Sequence, residues 1–342
     1  MSSKNYPSIS VIGATGMVGR ELIQILEQRQ FKFSKLKLFA SSKSAGEMID
    51  FGNQELTVEE LTDPKQVDTT IAFFAAGSGV SKLYLEEIAA QGTICIDKSS
   101  YFRMRPDIPL VVNEVNSQDT LGARIIASPN CIATPLAQVL APLHKIFGLK
   151  SAVVCTYQAV SGAGKAGSDE LETQVRNLFN MRDVSCDIFG QRIAFNILPM
   201  IPGYSKLDNL GKSEEEVKLI EETQKILKLP ELKLDATCVR VPVFNGHSMA
   251  VHMAFKQPCK LSDALDALRQ APGLILIDDL DDSKKTNYPT PLDACGNDMT
   301  LVGRVRPNTS VTSGLSLWIA SDNLRTGAAL NAVRIAETIT LE

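Results

Sequence analysis

The chain is predicted to be an α/β protein, a Rossmann-like doubly wound parallel sheet joined to an α+β domain with a mostly antiparallel sheet. Three observations carry this. First, residues 8–12 form an apolar strand that runs into the glycine turn Gly13 to Gly19. Residues 20–28 then place Leu22, Ile23 and Leu26 on one helical side. Second, strands at 36–40, 70–75 and 93–97, with a helix near 81–91, continue the strand–helix alternation of a parallel sheet. Third, after Lys150 the strands lengthen (151–158, 237–242, 247–255, 302–307 and 315–320) around helices at 167–179, 214–228 and 262–270. The amphipathic segment 323–338 is expected to return to the first domain. The domains are thus 1–130, completed by 322–342, and 131–321 for substrate binding and dimerisation.

Composition narrows the function. A chain of 342 residues, 44% hydrophobic and 22% charged, has the length of two ordinary domains. Its net charge of −4 lacks the basic surplus of a protein that grips nucleic acid or anionic lipid. No apolar run is long enough for a membrane span, and residues 1–7 lack the apolar core of a signal peptide, so a cytoplasmic location is expected. Seven widely spaced cysteines, no Cys-x-x-Cys and three histidines give neither a disulfide framework nor a metal site.

Gly13-x-x-Gly16-x-x-Gly19 lies between a strand and a helix, where glycines let the backbone approach a pyrophosphate and the helix N-terminus favours the anion. The competing reading is a tight βα turn with no ligand. After the second strand, Ser41-Ser-Lys43-Ser44 stands where an NAD enzyme often places an acidic residue for the ribose 2′-hydroxyl. Hydroxyls and a cation suit a 2′-phosphate, which favours NADP, against the alternative of a polar surface loop.

Cys95, Cys155 and Cys238 lie within apolar strands and read as core, while Cys186, Cys259 and Cys295 lie in loops without chemical company. Cys131 differs, because Ser128-Pro-Asn130 precedes it and an apolar helix follows. With Asn130 as N-cap, Cys131 would occupy the helix's first turn, where dipole and N–H groups favour thiolate and stabilise an oxyanion. The alternative is a packing residue at a helix start. Covalent catalysis also needs a proton handler. His247, in a turn entering a strand, ranks ahead of His144, near a helix end, and His252, in mid-strand.

Arg103 follows an apolar strand and Arg240 lies inside one, where a guanidinium seeks a carboxylate or phosphate. Arg240 and His247 would face one cleft if their strands formed a hairpin. Glu215 and Lys218, three apart on one helix, read alone as a solvated ion pair, and Ser213 with Glu216 as a capping box. The glycine-rich run Gln158 to Gly167 follows a strand and suits close backbone approach to a ligand, or a plain flexible loop.

Six motifs, in order over about residues 8 to 340, make the chain resemble the aspartate-β-semialdehyde dehydrogenases. They are Gly13-Ala-Thr-Gly-Met-Val-Gly19, Ser128-Pro-Asn-Cys-Ile-Ala-Thr134, Gln158-Ala-Val-Ser-Gly-Ala-Gly164, Glu214-Glu-Glu-Val-Lys218, Arg240-Val-Pro-Val-(x)₃-His247-Ser and Asp322-Asn-Leu-Arg-Thr-Gly-Ala-Ala-Leu-Asn331. The resemblance implies that Cys131 is the nucleophile that carries an acyl thioester, that His247 is the acid/base, and that Gln158 positions the substrate. It implies Arg240 for the substrate α-carboxylate and Glu215 for its α-amino group. Arg103 and Lys218 would hold phosphate, with Asn130 also among the substrate-binding residues. Gly13, Thr15, Gly16, Met17, Val18, Ser41, Lys43, Ser44, Ser161, Gly162 and Asn331 would contact NADP. It also implies a homodimer. Lys43 stands where many relatives carry Arg, which loses the bidentate fork on a 2′-phosphate.

The reaction so implied is NADPH-dependent reductive dephosphorylation of L-aspartyl-4-phosphate to L-aspartate-4-semialdehyde, in lysine, threonine, methionine and diaminopimelate biosynthesis. The nearest rival, an N-acetyl-γ-glutamyl-phosphate reductase, handles an acylated amine and has no use for a carboxylate at Glu215. A glyceraldehyde-phosphate-type dehydrogenase does not match the Arg240/His247 pattern. A silent nucleotide-binding sensor has no reason to keep Cys131, His247 and Arg240 together.

Overall fold

The computed structural model describes residues 6–201, 211–277 and 288–341. Most of the segment read for a leader, residues 1–5, lies outside them. The chain divides into two compact units, one of Met1–Asn130 with Ala328–Glu342 and the other of Cys131–Gly327.

The first unit holds a seven-stranded sheet of β1 (Ser8–Ile12), β2 (Lys35–Ala40), β3 (Met48–Phe51), β4 (Gln54–Glu60), β5 (Ile71–Phe74), β6 (Ile94–Asp97) and β7 (Ile125–Ala127). The order β3-β4-β2-β1-β5-β6-β7 makes β1 central, with β2 on one side and β5 on the other. The strand order reverses at β1, the position where open α/β sheets leave a crevice beyond the strand's carboxyl end. All pairings are parallel except the β3–β4 hairpin, whose polar strands did not stand out in the sequence. Ile9 and Val11 of β1 pack with Leu22, Ile25 and Leu26 of the Met17–Gln28 helix. Leu330, Val333 and Ala336 of the C-terminal Leu330–Leu341 helix join the same core. Ser10, buried in β1, is satisfied by a 2.8 Å hydrogen bond to Thr69. The helix expected near 81–91 runs from Ser78 to Ala90 with a π-helical turn, Ser81–Leu85, in its middle.

The second unit has a six-stranded sheet of β8 (Leu149–Gln158), β9 (Lys233–Arg240), β10 (His247–Phe255), β11 (Leu274–Ile277), β12 (Thr300–Pro307) and β13 (Gly314–Ser321), ordered β11-β12-β13-β10-β8-β9. It is mixed, with β8–β9 and β11–β12 parallel and the other pairings antiparallel. The strands of Arg240 and His247, for which a hairpin was one way to face a common cleft, do not pair with each other. β8 lies between them, because the Glu214–Leu227 helix precedes β9 and packs on it, making β9 a parallel edge neighbour of β8. Alternation along β8 buries Ala152, Val154, Thr156 and Gln158 and leaves Val153 and Tyr157 exposed. The return placed by sequence at residue 322 begins at Ala328, since Asp322 and Asn323 are bonded to Gly296, Gly246 and Ser161 of the second unit. Among the described residues no helix is long and apolar enough to cross a membrane.

Candidate active site

Cys131 opens the second unit, half-buried, in a turn ahead of the Ala133–Phe147 helix. Asn130 is not the N-cap expected from sequence; that position falls to Ile132, whose own side chain makes no cap hydrogen bond. Pro135 explains the shift. Had Asn130 capped the helix, the fifth helical residue would be Pro135, whose missing N–H would break an intrahelical bond. Starting at Ala133 puts Pro135 in the first turn, where that N–H has no intrahelical partner in any case. The first intrahelical bond is accordingly Leu136 N–H to the Ile132 carbonyl, 3.3 Å. Cys131 therefore lies just ahead of the helix mouth and not in its first turn. A side chain on Gly327 would place Cβ 2.7 Å from the Cys131 carbonyl oxygen and 2.9 Å from Cys131 Cβ. Only glycine lets that segment lie flat against Cys131.

Three strands of the second unit bring the remaining groups together. Arg240 ends β9 opposite Gln158, which ends β8, and His247 starts β10. The Ala159 N–H donates to His247 Nδ1 at 3.0 Å, and Arg240 Nη1 donates to the Ala159 carbonyl at 2.7 Å. One residue's backbone thus sets both side chains. A neutral imidazole that accepts at Nδ1 carries its proton on Nε2. That Nε2 is buried and meets no hydrogen-bond partner among the described residues. Burial, and then the Arg240 charge, hold the His247 pKa well below the ordinary imidazole value. His247 is therefore a neutral N–H donor at neutral pH. The Arg240 pKa is lowered by burial, while Glu215 and Cys131 act to raise it, which places both near the guanidinium.

Gly162 keeps this corner open. A Cβ there would lie 2.8 Å from Arg240 Nη1 and 3.3 Å from His247 Nε2. Gln158 Nε2 donates to Glu215 Oε1 at 3.0 Å, so Glu215 joins the cluster. Lys218 is paired with Glu214 at 2.6 Å, not with Glu215. The capping box forms as read, the Ser213 N–H reaching Glu216 at 2.7 Å, and Glu216 also accepts the Cys238 N–H at 2.9 Å. The other two histidines are engaged elsewhere. His144 accepts the Leu149 N–H, and His252, on the opposite face of β10 from His247, bonds Ser316 at 2.8 Å.

In the first unit, Gly13 has φ +88°, and a Cβ would lie 2.7 Å from the Ala76 nitrogen. On Gly19 a Cβ would meet the Gly13 carbonyl oxygen at 2.1 Å, so this glycine lets the helix close onto the turn. Gly16 caps the Met17–Gln28 helix without a side-chain bond, and no acidic residue occupies the first turn. A helix mouth with no side-chain cap, beside Thr15, Met17 and Val18, fits a pyrophosphate. Ser41 and Ser44 bracket a turn closed by the Ser44 N–H on the Ser41 carbonyl, 2.9 Å, with Lys43 exposed on it. These residues fit a phosphorylated ribose.

Arg103 belongs to the first unit and is buried, with donors on the Lys98 carbonyl at 2.6 Å and the Ser128 carbonyl at 3.1 Å. Asn331 is also buried. Its amide N–H groups go to the Val111 carbonyl and Ser128 Oγ, both 2.8 Å, and its Oδ1 accepts the Asn113 N–H. Its visible task is to brace the approach to Cys131. Lys98, which sequence reasoning did not single out, does the same through the Pro129 carbonyl at 2.7 Å. Ser161 Oγ is bonded to Asn323, whose Oδ1 also accepts the Gly246 N–H at 2.9 Å. Asn323 thus ties the glycine-rich loop to the turn before His247. It lay in a quoted motif, but its partners 162 and 77 residues away carry no local signal.

Comparison with known proteins bears on the family. Residues 8–123 match the model of the semialdehyde dehydrogenase NAD binding domain, and residues 140–326 that of the semialdehyde dehydrogenase dimerisation domain. An aspartate-semialdehyde dehydrogenase of Rickettsia bellii is 43% identical over 98% of both chains. One of Bacillus subtilis is 40% identical over 97% of this chain and 96% of its own. A crystal structure of aspartate semialdehyde dehydrogenase II from Vibrio cholerae, complexed with ASA, superposes with TM-score 0.93 at 39% identity, covering 99% of each chain.

Proposed function

Because the chain belongs to the semialdehyde dehydrogenase family, we propose that it reduces L-aspartyl-4-phosphate to L-aspartate-4-semialdehyde with NADPH, through a thioester on Cys131. The observation that carries this is the opening at Gly162, where the buried, unpartnered His247 Nε2 and the Arg240 guanidinium adjoin one another.

The Cys131 thiolate attacks the acyl carbon, the carbon–oxygen bond to phosphate breaks, and phosphate leaves with the electron pair. Arg103 and Lys218 are assigned to that phosphate, Lys218 by exchanging Glu214 for it. Arg240 takes the substrate α-carboxylate and Glu215 its ammonium group, while Gln158 orients the reacting carbon. When bound, NADPH supplies a hydride to the thioester carbon. The Cys131 C–S bond of the resulting hemithioacetal then breaks as the carbonyl re-forms. The neutral His247 Nε2–H hydrogen-bonds the developing oxyanion and then the departing thiolate, keeping its proton, so Cys131 leaves as the thiolate that begins the next cycle. The neutral Nε2–H tautomer supports this hydrogen-bond donor role. Gly13, Thr15, Gly16, Met17 and Val18 would hold the pyrophosphate and Ser41, Lys43 and Ser44 the 2′-phosphate, which supports NADP over NAD. The functional protein is a dimer, consistent with its dimerisation domain.

The test follows NADPH absorbance in the reverse direction, with aspartate semialdehyde, phosphate and NADP. Turnover is expected there, less with NAD and none with N-acetylglutamate semialdehyde. Activity with the acetylated substrate alone would replace the substrate assignment with that of the acylated rival.

A further inference from the structure

We propose that Thr156 is a positioning residue for Gln158, fixing which end of that amide faces Glu215; the proposal rests on the catalytic reading of the site above. Thr156 and Gln158 are two apart on β8 and project from the same buried face, 0% and 1% exposed. The Thr156 hydroxyl donates to Gln158 Oε1 at 2.9 Å. A hydroxyl rotates, but this one also accepts the Val239 N–H at 3.3 Å, which leaves its proton for Gln158. With its carbonyl end held, Gln158 turns Nε2 to Glu215 at 3.0 Å. A flipped amide would set its oxygen against the Glu215 carboxylate and its NH₂ against a hydroxyl already receiving a hydrogen. The line from Val239 through Thr156 and Gln158 to Glu215 therefore has one consistent polarity. Cys238, cross-strand from Thr156, also adjoins the hydroxyl. Burial pushes its thiol pKa up, so it stays a thiol and is a weak competing acceptor. The amide that orients the substrate is thus itself oriented by a neighbour that need not touch the substrate.

Thr156→Val keeps the shape and removes the hydroxyl. The expected result is a fall of about 10- to 100-fold in kcat/KM for aspartate semialdehyde, with the KM for NADP within about 2-fold. Thr156→Ser should stay within about 3-fold of wild type. In a Gln158→Ala background the valine should add less than about 2-fold, because a residue acting through Gln158 has nothing left to orient. If valine is not accommodated, Thr156→Ser against Thr156→Ala, which differ only by the hydroxyl, makes the same comparison. Equal losses with and without Gln158, or no loss, would overturn the proposal. A crystal structure of Thr156→Val gives a readout that needs no turnover, with the Gln158–Glu215 contact expected to be lost; its persistence would also overturn the proposal. Wild-type protein inactive on aspartate semialdehyde would instead remove the functional reading and leave this structural readout standing.

Discussion

At His247, position and protonation are set by the same two neighbours. The Ala159 N–H fixes the ring from the Nδ1 side, and burial with the Arg240 charge keeps it neutral. Folding thus excludes a proton that the unfolded chain takes up below about pH 6.5. The stability tied to this residue is present above that pH and is lost as pH falls below it. Thermal unfolding from pH 7.5 to 5.5 should show a declining Tm, with a shallower decline for His247→Gln; identical slopes would contradict the linkage. Gly162→Ala tests the opening itself. A Cβ 2.8 Å from Arg240 Nη1 must displace the guanidinium, so kcat/KM should drop about 100-fold with Tm nearly unchanged. Full activity in that variant would show that the corner tolerates a side chain. Cys131, His247 and Arg240 could be singled out in the sequence as a thiol, an imidazole and a guanidinium next to turns or inside an apolar strand, whereas Gln158 came only from the family resemblance. Thr156, Asn323, Gly327 and Lys98 were not legible. They act by touching residues distant in sequence or by having no side chain, and neither property shows in local pattern.

Among elements, periodicity revealed those that bury one face and missed those defined by pairing. β1, the Met17–Gln28 helix and β10 follow from apolar spacing, and β10 has the bounds read from sequence. The β3–β4 hairpin, with Asp50, Glu55, Glu59 and Glu60 in its strands, offers little apolar alternation, and the three-residue β7 is too short to show any. Pro135 favours the late start of the Ala133–Phe147 helix, but the same helix carries Pro142 in its interior, so proline position alone does not fix its bounds. Gly19→Ala addresses the nucleotide turn at this scale. A Cβ 2.1 Å from the Gly13 carbonyl must push the helix off β1, costing about 1–3 kcal/mol by overpacking. Urea unfolding should show that loss, and NADP affinity should fall with it. Unchanged stability would mean that the turn relaxes without strain.

For the molecule as a whole, the exposed face of the second sheet carries Val153, Tyr157 and the single tryptophan, Trp318, whose ring lies 5.3 Å from that of Tyr157. An apolar sheet face of this kind suits a second copy of the chain. Val153→Arg should convert the dimer to monomer in sedimentation velocity and shift Trp318 emission to longer wavelength. A variant still dimeric would place the interface elsewhere. The two-unit plan was legible because the strand–helix alternation stops near residue 150. The mixed order of the second sheet was not, since β8 pairs with strands some 80 and 100 residues later. The proposed thioester on Cys131 is directly observable. The protein is mixed with aspartate semialdehyde and NADP, phosphate is withheld, and the quenched sample is digested for peptide mass spectrometry. One aspartyl group bound as a hydroxylamine-labile thioester is expected on the peptide bearing Cys131, and none in Cys131→Ala. An acyl group on another residue, or turnover by Cys131→Ala, would contradict the mechanism.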